Sequence, residues 1–258
     1  MNKTMTYIFK AINRLIRKIG LTITFSSDGE DLILNKILGG IKNGNYIDIG
    51  SNHPVRHSNT FNFYLNNWSG ICIDPLPGLK RKYKVFRSRD LFLNVGIVKK
   101  STTDQMTFYY YKQNPDNSTF DKKRVVDLKN LYNRIPSKEL KVDLISIDEL
   151  SKTKKFIEFN STIHLFNLDI EGFEKEILSS FFSDKKFPWI VCVEELGFLT
   201  ENINKSKINI LMKKNNYVLG MRTFLSSIYI YRPIISKLES PFVNELKLKN
   251  ENNPHKYL

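Results

Sequence analysis

Carboxylate side chains recur where the short apolar segments of this sequence end. These residues are Asp48, Asp74, Asp169, Glu171, Glu194 and Glu195. In an open parallel β-sheet, ligands bind at the carboxyl ends of the strands, near the point where the strand order reverses. If the apolar segments are neighbouring strands, their carboxylates lie along one edge of a sheet. Such an edge suits a cationic ligand, or one whose hydroxyl groups need hydrogen-bond acceptors.

The turn after the first of these segments contains one glycine, Gly50, followed by Ser51 and Asn52. Dinucleotide-binding folds place Gly-x-Gly-x-x-Gly at this turn so that a pyrophosphate can approach the helix N-terminus, and that pattern is absent. A carboxylate at Asp48 disfavours a pyrophosphate and favours a ligand with a sulfonium and an α-amino group. Asp74 follows the next segment, where a carboxylate can accept hydrogen bonds from both hydroxyls of a ribose. The alternative for both aspartates is a structural role as helix N-caps.

Strand-like and helix-like segments alternate around these residues. The predicted strands are 46–49, 70–74, 92–98, 163–169 and 189–194, and the predicted helices are 30–38, 58–66, 79–86, 172–182 and 204–215. A terminal antiparallel hairpin is expected from strands at 217–222 and 226–232. Alternation of this kind predicts an α/β fold with a mostly parallel seven-stranded sheet and right-handed crossovers.

The alternation is interrupted between the third and fourth strands. Segments 106–111 and 141–147 read as two further strands, separated by a stretch rich in lysine and asparagine. We interpret residues 104–147 as a β insertion in a domain that covers 26–235. Loops of this length inside compact domains often serve as lids or binding arms, and we expect such a role for 112–140.

Residues 1–25 are predicted to form a basic amphipathic helix. Its apolar residues recur at helical spacing: Tyr7, Ile8, Ala11, Ile12, Leu15, Ile16 and Ile19. Its other face carries Lys10, Arg14, Arg17 and Lys18. Such a helix can lie on an anionic membrane, or its apolar face can pack on the domain or on a partner. At the other end, 236–258 is predicted to be a polar tail.

The composition is that of an ordinary globular protein, with 41% hydrophobic and 26% charged residues, but the net charge is +14. A strongly basic protein attracts nucleic acids, anionic lipids or acidic glycans, and the charge does not choose among them. No apolar run is long enough for a membrane span or a secretion signal, which predicts a cytoplasmic protein. Peripheral contact with the inner face of the membrane stays open. Cys72 and Cys192 lie in apolar segments and are expected to be buried thiols.

Several separate motifs resemble the FkbM family of methyltransferases, in that family's order, over about residues 26–232. They are Gly29-Glu30-Asp31, Tyr46-Ile47-Asp48-Ile49-Gly50-Ser51-Asn52-His53-Pro54, Ser58-Asn59-Thr60, Asn67-Trp68-Ser69-Gly70-Ile71-Cys72-Ile73-Asp74-Pro75 and Leu168-Asp169-Ile170-Glu171-Gly172-Phe173-Glu174. One departure concerns the segment before Gly29, where the family often has a glutamine and this sequence has Ser27 and Asp28.

The resemblance implies a Rossmann-like class I methyltransferase fold, S-adenosylmethionine as cofactor and, usually, O-methylation of sugars, surface glycans or small natural products. By position in the motifs, the methionine end of the cofactor would be held by Asp48, Gly50, Ser51 and Asn52. Asp74 would hold the ribose, and Asn94 and Val95 would border the adenine.

For the reacting groups, the resemblance places Asp169 and Glu171 beside the methyl group, where they would position or deprotonate the acceptor or bind a metal. The need for a divalent metal therefore stays open. The alternative for Glu171 is to stabilise a helix N-terminus. His53, beside the cofactor turn, is a further candidate base or a structural histidine, and we expect Glu194 and Glu195 to contact the acceptor. The Asn-Pro-Pro-Tyr motif that orients amines is absent, which favours an oxygen acceptor.

Three functions remain in competition at this stage. The first is O-methylation of a small-molecule or glycan acceptor. The second is an RNA-modifying methyltransferase of the same fold, favoured by the charge but without an RNA-binding motif. The third is a non-catalytic module that binds membranes through residues 1–25.

Overall fold

A seven-stranded β-sheet organises the protein in a computed structural model that describes residues 3–100, 104–170, 172–195 and 200–238. The strands are β1 (Asn45–Ile49), β2 (Ser69–Ile73), β3 (Leu91–Leu93), β4 (Gly96–Val98), β5 (Gln105–Tyr110), β6 (Lys138–Ser146), β7 (Leu165–Leu168), β8 (Ile190–Glu194), β9 (Tyr217–Arg222) and β10 (Ser226–Tyr231). The helices are α1 (Lys3–Lys18), α2 (Glu30–Leu38), α3 (Phe61–Leu65), α4 (Leu79–Phe86), α5 (Lys122–Tyr132), α6 (Ile147–Ser151), α7 (Lys154–Ile157), α8 (Glu174–Ser183) and α9 (Lys207–Lys214). Residues 239–258, and with them most of the predicted tail, lie outside the described residues.

The strand order of the large sheet is β3-β2-β1-β7-β8-β10-β9. The first five strands in this order are parallel, and β10 runs antiparallel to both of its neighbours. The predicted α/β fold with a mostly parallel seven-stranded sheet is confirmed. Because the order reverses between β1 and β7, the carboxyl ends of these two central strands flank the place where ligands bind in such sheets.

A second sheet, with the order β4-β6-β5, occupies the chain between β3 and β7. The prediction of one strand over 92–98 is wrong, because the chain leaves the large sheet after β3 and enters the small one at β4. Asn94 lies at this break and donates side-chain hydrogen bonds to the carbonyls of Asp74 (2.7 Å) and Leu76 (2.9 Å). These bonds hold the break against the end of β2.

Each face of the large sheet packs against its own core. Side chains of a strand alternate between the faces, and in β1 this puts Tyr46 into one core and Ile47 into the other. Cys72 and Cys192 are buried free thiols, as predicted. The sequence of residues 148–159 reads as one helix, but the structure has two, α6 and α7, because Thr153 caps a new helix start through the amide of Phe156.

Beneath the ends of β1 and β2 lies a buried arginine, Arg87, whose side chain is fully excluded from solvent. Its guanidinium donates hydrogen bonds to Asp90 (2.6 Å) and Thr60 (2.9 Å), and lies 4.0 Å from a carboxylate oxygen of Asp48. It also contacts the ring faces of three tyrosines, Tyr46, Tyr64 and Tyr83. A buried cation is tolerated only with such partners.

We expect Arg87→Met to destabilise the protein by about 3–5 kcal/mol, because it leaves Asp90 buried beside Asp48 without a compensating charge. Methionine keeps the length of the side chain among the tyrosine rings. The measurement is chemical denaturation followed by circular dichroism. Arg81→Met on α4, the helix that ends just before Arg87, is the control, since Arg81 is exposed and its replacement should change stability by no more than about 0.5 kcal/mol. Equal losses in the two variants would contradict the role given to Arg87.

Candidate functional site

A cavity of about 410 Å³ opens at the carboxyl ends of the central strands. Its volume lies in the range of about 300–1,000 Å³ found for small-molecule and cofactor sites. Its walls are formed by Ser27, Gly50, Asn52, His57, Asp74, Pro75, Leu76, Phe108, Pro115, Asp116, Asn117, Ser118, Thr119, Phe120, Asp169, Ile170, Glu194 and Leu225. The cavity therefore joins the strand ends of the large sheet to residues of the inserted sheet.

The turn after β1 brings the backbone to the cavity wall at Gly50. This residue has a φ of +76°, and a Cβ atom on it would lie 1.6 Å from the carbonyl oxygen of Asp169. The amide of Asp169 in turn donates to the carbonyl of Ile49 (3.0 Å). Only glycine combines this backbone conformation with this close approach. The ends of β1 and β7 are thus held in direct contact.

Asp74 provides a nearly buried carboxylate at the end of β2. One oxygen accepts a hydrogen bond from the amide of Asn52 (2.7 Å) and the other from the amide of Leu76 (2.8 Å). Burial raises the pKa of Asp74 to about 6, although these two backbone hydrogen bonds lower it. Since each carboxylate oxygen can accept more than one hydrogen bond, acceptor capacity remains on the cavity side.

The described cavity wall contains four carboxylates and no lysine or arginine, although the whole protein carries a charge of +14. They are Asp74, Asp116, Asp169 and Glu194. Glu171, the other predicted catalytic carboxylate, lies outside the described residues. A wall of this sign favours a cationic ligand and repels a pyrophosphate.

The insertion closes the cavity through Asp116, which lies in a short 3₁₀-helix at Pro115–Asn117. Its carboxylate accepts a hydrogen bond from the side chain of Asn52 (2.5 Å) and lies 3.8 Å from Nδ1 of His57. Phe108 and Phe120 from the same insertion form an apolar part of the wall. The segment expected to act as a lid or binding arm thus forms one side of the cavity.

The segment before α2 reaches the cavity at Ser27. Asp31, at the start of α2, is fully buried and accepts hydrogen bonds from the Thr24 and Ser26 hydroxyls (2.6 and 2.9 Å) and from the Phe25 amide (3.0 Å). These bonds fix the segment against the domain. The position at which this sequence departs from the FkbM pattern is therefore part of the cavity wall.

Of the predicted cofactor residues, Asp48 lies beneath the cavity and not in its wall. Its buried carboxylate accepts hydrogen bonds from the Thr60 hydroxyl and from the side-chain amide of Asn167 (2.9 Å). Burial raises the pKa of Asp48, while Arg87 and these hydrogen bonds lower it. Asp48 is thus placed to orient the β1 turn from below.

Other predicted residues also lie outside the described wall. Ser51 is buried, and its carbonyl accepts from the Tyr83 hydroxyl (3.1 Å). Asn94 holds the β3–β4 break, and Val95 packs against the core. Glu195 is buried, where it accepts hydrogen bonds from the Ser206, Ser227 (2.7 Å) and Tyr229 (3.3 Å) hydroxyls.

His53 stabilises the loop after the β1 turn. Its Nδ1 accepts hydrogen bonds from the amides of Val55 and Arg56, both at 3.2 Å. Partial burial, followed by the nearby Lys82, Arg56 and His57, lowers the pKa of His53 to about 4. The ring is therefore neutral at pH 7, and one of its two nitrogens is already engaged.

The sequence did not predict that Arg87, Thr60 and Asn167 link Asp48 to the core, although Thr60 belongs to one of the FkbM-like motifs. The available signal was a polar residue inside an apolar strand, as in Leu165-Phe166-Asn167-Leu168. Such a residue needs a buried partner. Arg87 gave no comparable signal, because an arginine after a helix is usually exposed.

A family profile described as methyltransferase FkbM domain matches residues 48–229. The matched region begins at β1, ends in β10 and includes all the strand-end residues of the cavity. The chain belongs to the FkbM methyltransferase family. A comparison with curated proteins gives no significant match.

Metal ligands do not come together in the described part of this FkbM domain. Among those residues, no group of three or more His, Cys, Asp and Glu side chains has an arrangement that could hold a metal ion.

We expect Gly50→Ala to destabilise the protein more strongly than Gly78→Ala. Both glycines have a φ near +80°, but a Cβ on Gly78 meets nothing within 4 Å. The Gly78 variant should lose about 1–2 kcal/mol from backbone strain alone, and the Gly50 variant about 1–3 kcal/mol more from the clash with Asp169. Thermal unfolding of both variants measures the difference. Equal losses would mean that β1 and β7 do not meet as described.

Proposed function

We propose that this protein transfers the methyl group of S-adenosylmethionine to a hydroxyl oxygen of a sugar, a surface glycan or a related compound. The observation that carries the proposal is the acidic wall of the cavity in a strongly basic protein of the FkbM family. A donor with a sulfonium and an ammonium group matches that wall in charge, and its adenine matches the apolar residues that follow Asp74.

The chemistry of the wall fits this cofactor part by part. The carboxylate of Asp74 offers acceptors for two ribose hydroxyls. Gly50 and Asp169 lie in direct contact in the cavity wall, and the methionine end of the cofactor would bind against these two strand ends. Leu76, which follows Asp74, offers an apolar contact for the adenine. In this proposal Asp48 positions the Gly50 turn and does not touch the cofactor.

When bound, S-adenosylmethionine supplies a methyl carbon that is already activated for displacement. The protein's own task is then to hold an acceptor oxygen in line with that carbon. We assign the positioning of the hydroxyl and the uptake of its proton to Asp169, with Glu171 two residues further along the chain. Glu194, at the end of β8, extends the acidic wall toward the acceptor.

Asp169 is a better candidate for this proton than His53. The carboxylate belongs to the cavity wall, whereas the histidine does not. The same acidic wall argues against RNA as the acceptor, because carboxylates repel phosphate groups.

We expect Asp74→Asn to weaken binding of S-adenosylmethionine by about 10- to 100-fold, because the variant loses a charged acceptor for the ribose. At about 100 times its dissociation constant the cofactor should stabilise the wild type by about 2.7 kcal/mol, or about 5–10 °C in melting temperature. Calorimetric titration gives the affinities. Asp148→Asn, an exposed carboxylate on α6, is the control and should bind as the wild type does. An unchanged affinity in the Asp74 variant would count against the proposed site.

The same carboxylate predicts how binding depends on pH. The ionised form of Asp74 is the one that accepts two hydroxyl hydrogen bonds, and its pKa is raised to about 6. Affinity should therefore be constant above about pH 7 and fall by up to about tenfold per pH unit below pH 6. The dependence should disappear in Asp74→Asn and persist in His57→Gln. A pH dependence that persists unchanged in Asp74→Asn would contradict the role given to this carboxylate.

The reaction itself is tested by transfer of a radiolabelled methyl group from S-adenosylmethionine to a panel of soluble oligosaccharides. We expect label that survives mild alkali, because an O-methyl ether resists base and a methyl ester does not. Asp169→Asn should lower the rate about 10²- to 10⁴-fold, a much larger loss than its effect on cofactor affinity. Alkali-labile label would show a carboxylate acceptor and contradict the proposal of a hydroxyl.

A further inference from the structure

Helix α1 is attached to the domain along one side only. Phe9 points inward and packs edge-on against Phe25 (6.3 Å between ring centroids) and Phe61 (5.7 Å). These two rings also contact each other (4.9 Å). The aromatic cluster connects α1 to α3 and to the segment that leads to the cavity.

A second apolar side of the helix faces solvent. Ile8, Ile12 and Leu15 of α1 and Ile19, the first residue after the helix, are here called the apolar stripe, and they are 52%, 45%, 65% and 70% exposed. Their spacing of four, three and four residues places them on one side of a helix. The apolar stripe therefore does not pack on the described domain, although the sequence alone allowed such packing. Exposed apolar residues grouped in this way indicate an interaction site.

Basic residues form a row beside the apolar stripe. Lys10, Arg14 and Lys18 follow each other at intervals of four and therefore line up along the helix. No acidic residue occurs in the sequence before Asp28. An apolar stripe flanked by cations alone matches an anionic lipid surface, since its headgroups supply the opposite charge and its acyl region takes up the apolar side chains.

We propose that α1 docks this protein on anionic lipid bilayers, with the apolar stripe at the level of the acyl chains and the basic row among the headgroups. The helix lies along the surface and does not cross it, and none of the described helices is long and apolar enough to span a bilayer. Pairing of two copies through the same stripe would bring their basic rows together, and like charges oppose that contact.

The test is co-sedimentation of the full-length protein with vesicles of phosphatidylcholine alone or with 30% phosphatidylserine. The protein should pellet with the anionic vesicles and remain in solution with the neutral ones, and raised salt should weaken binding. Equal partitioning into both kinds of vesicle would overturn the proposal, as would no binding to either.

Two pairs of variants separate the contributions. Ile12→Gln with Leu15→Gln should reduce partitioning at least about tenfold, while Leu131→Gln with Ile210→Gln, exposed apolar residues on α5 and α9, should leave it unchanged. Arg14→Gln with Lys18→Gln should reduce it about 30-fold, and Lys80→Gln with Lys84→Gln on α4 should have a smaller effect.

Two results with the stripe would overturn the proposal. One is a stripe variant that binds vesicles as the wild type does. The other is a dimer in light scattering that becomes monomeric in the stripe variant, which would assign the stripe to a second copy. Since cofactor binding does not involve the stripe, a normal affinity for S-adenosylmethionine in the stripe variant keeps this outcome separate from the fate of the proposed function.

Discussion

The carboxylate of Asp74 accepts hydrogen bonds from backbone amides in the turns after β1 and β2. The backbone carbonyl of Asp74 accepts a further hydrogen bond from the side chain of Asn94, just after β3. Three chain segments therefore meet at one nearly buried acidic group. The group is held in place before any ligand arrives, so a ligand does not need to order it. The cost is the burial of a charge, which is visible in the raised pKa of Asp74. A ligand that gives hydrogen bonds to this carboxylate compensates for that cost.

The described cavity wall is acidic, although the protein as a whole is strongly basic. The surface holds the excess of lysine and arginine, whereas the described cavity wall holds carboxylates. The deeply buried cation Arg87 lies below the wall and stabilises Asp48 and Asp90 without reaching the cavity. In the two proposals, this separation lets a basic protein hold a cationic donor in the cavity and approach an anionic surface through α1.

Local sequence patterns were enough to predict the strand ends that form the cavity. Gly50, Asn52, Asp74, Asp169 and Glu194 line it because an apolar run followed by a polar turn reports both a strand and its end. Their roles in binding and catalysis stay predictions. The network around Arg87 could not be predicted, because it depends on the way the end of α4 packs under β1.

The break between β3 and β4 could not be predicted from the sequence for a related reason. The residues on both sides of Asn94 are apolar, and periodicity does not tell which sheet a strand joins. Glu194 and Glu195 show a similar limit, since adjacent residues at the end of a strand face opposite ways. Glu194 lies in the cavity wall, whereas the carboxylate of Glu195 accepts hydrogen bonds inside the domain. Only the tertiary structure decides which of the two glutamates faces the cavity.

The most direct test of this account is a crystal structure of the protein with S-adenosylhomocysteine, the demethylated product of the donor. The account predicts the ribose hydroxyls within hydrogen-bond distance of the Asp74 carboxylate, and the amino acid end beside Gly50 and Asp169. A ligand bound elsewhere, or bound in the cavity without contact to Asp74, would contradict it.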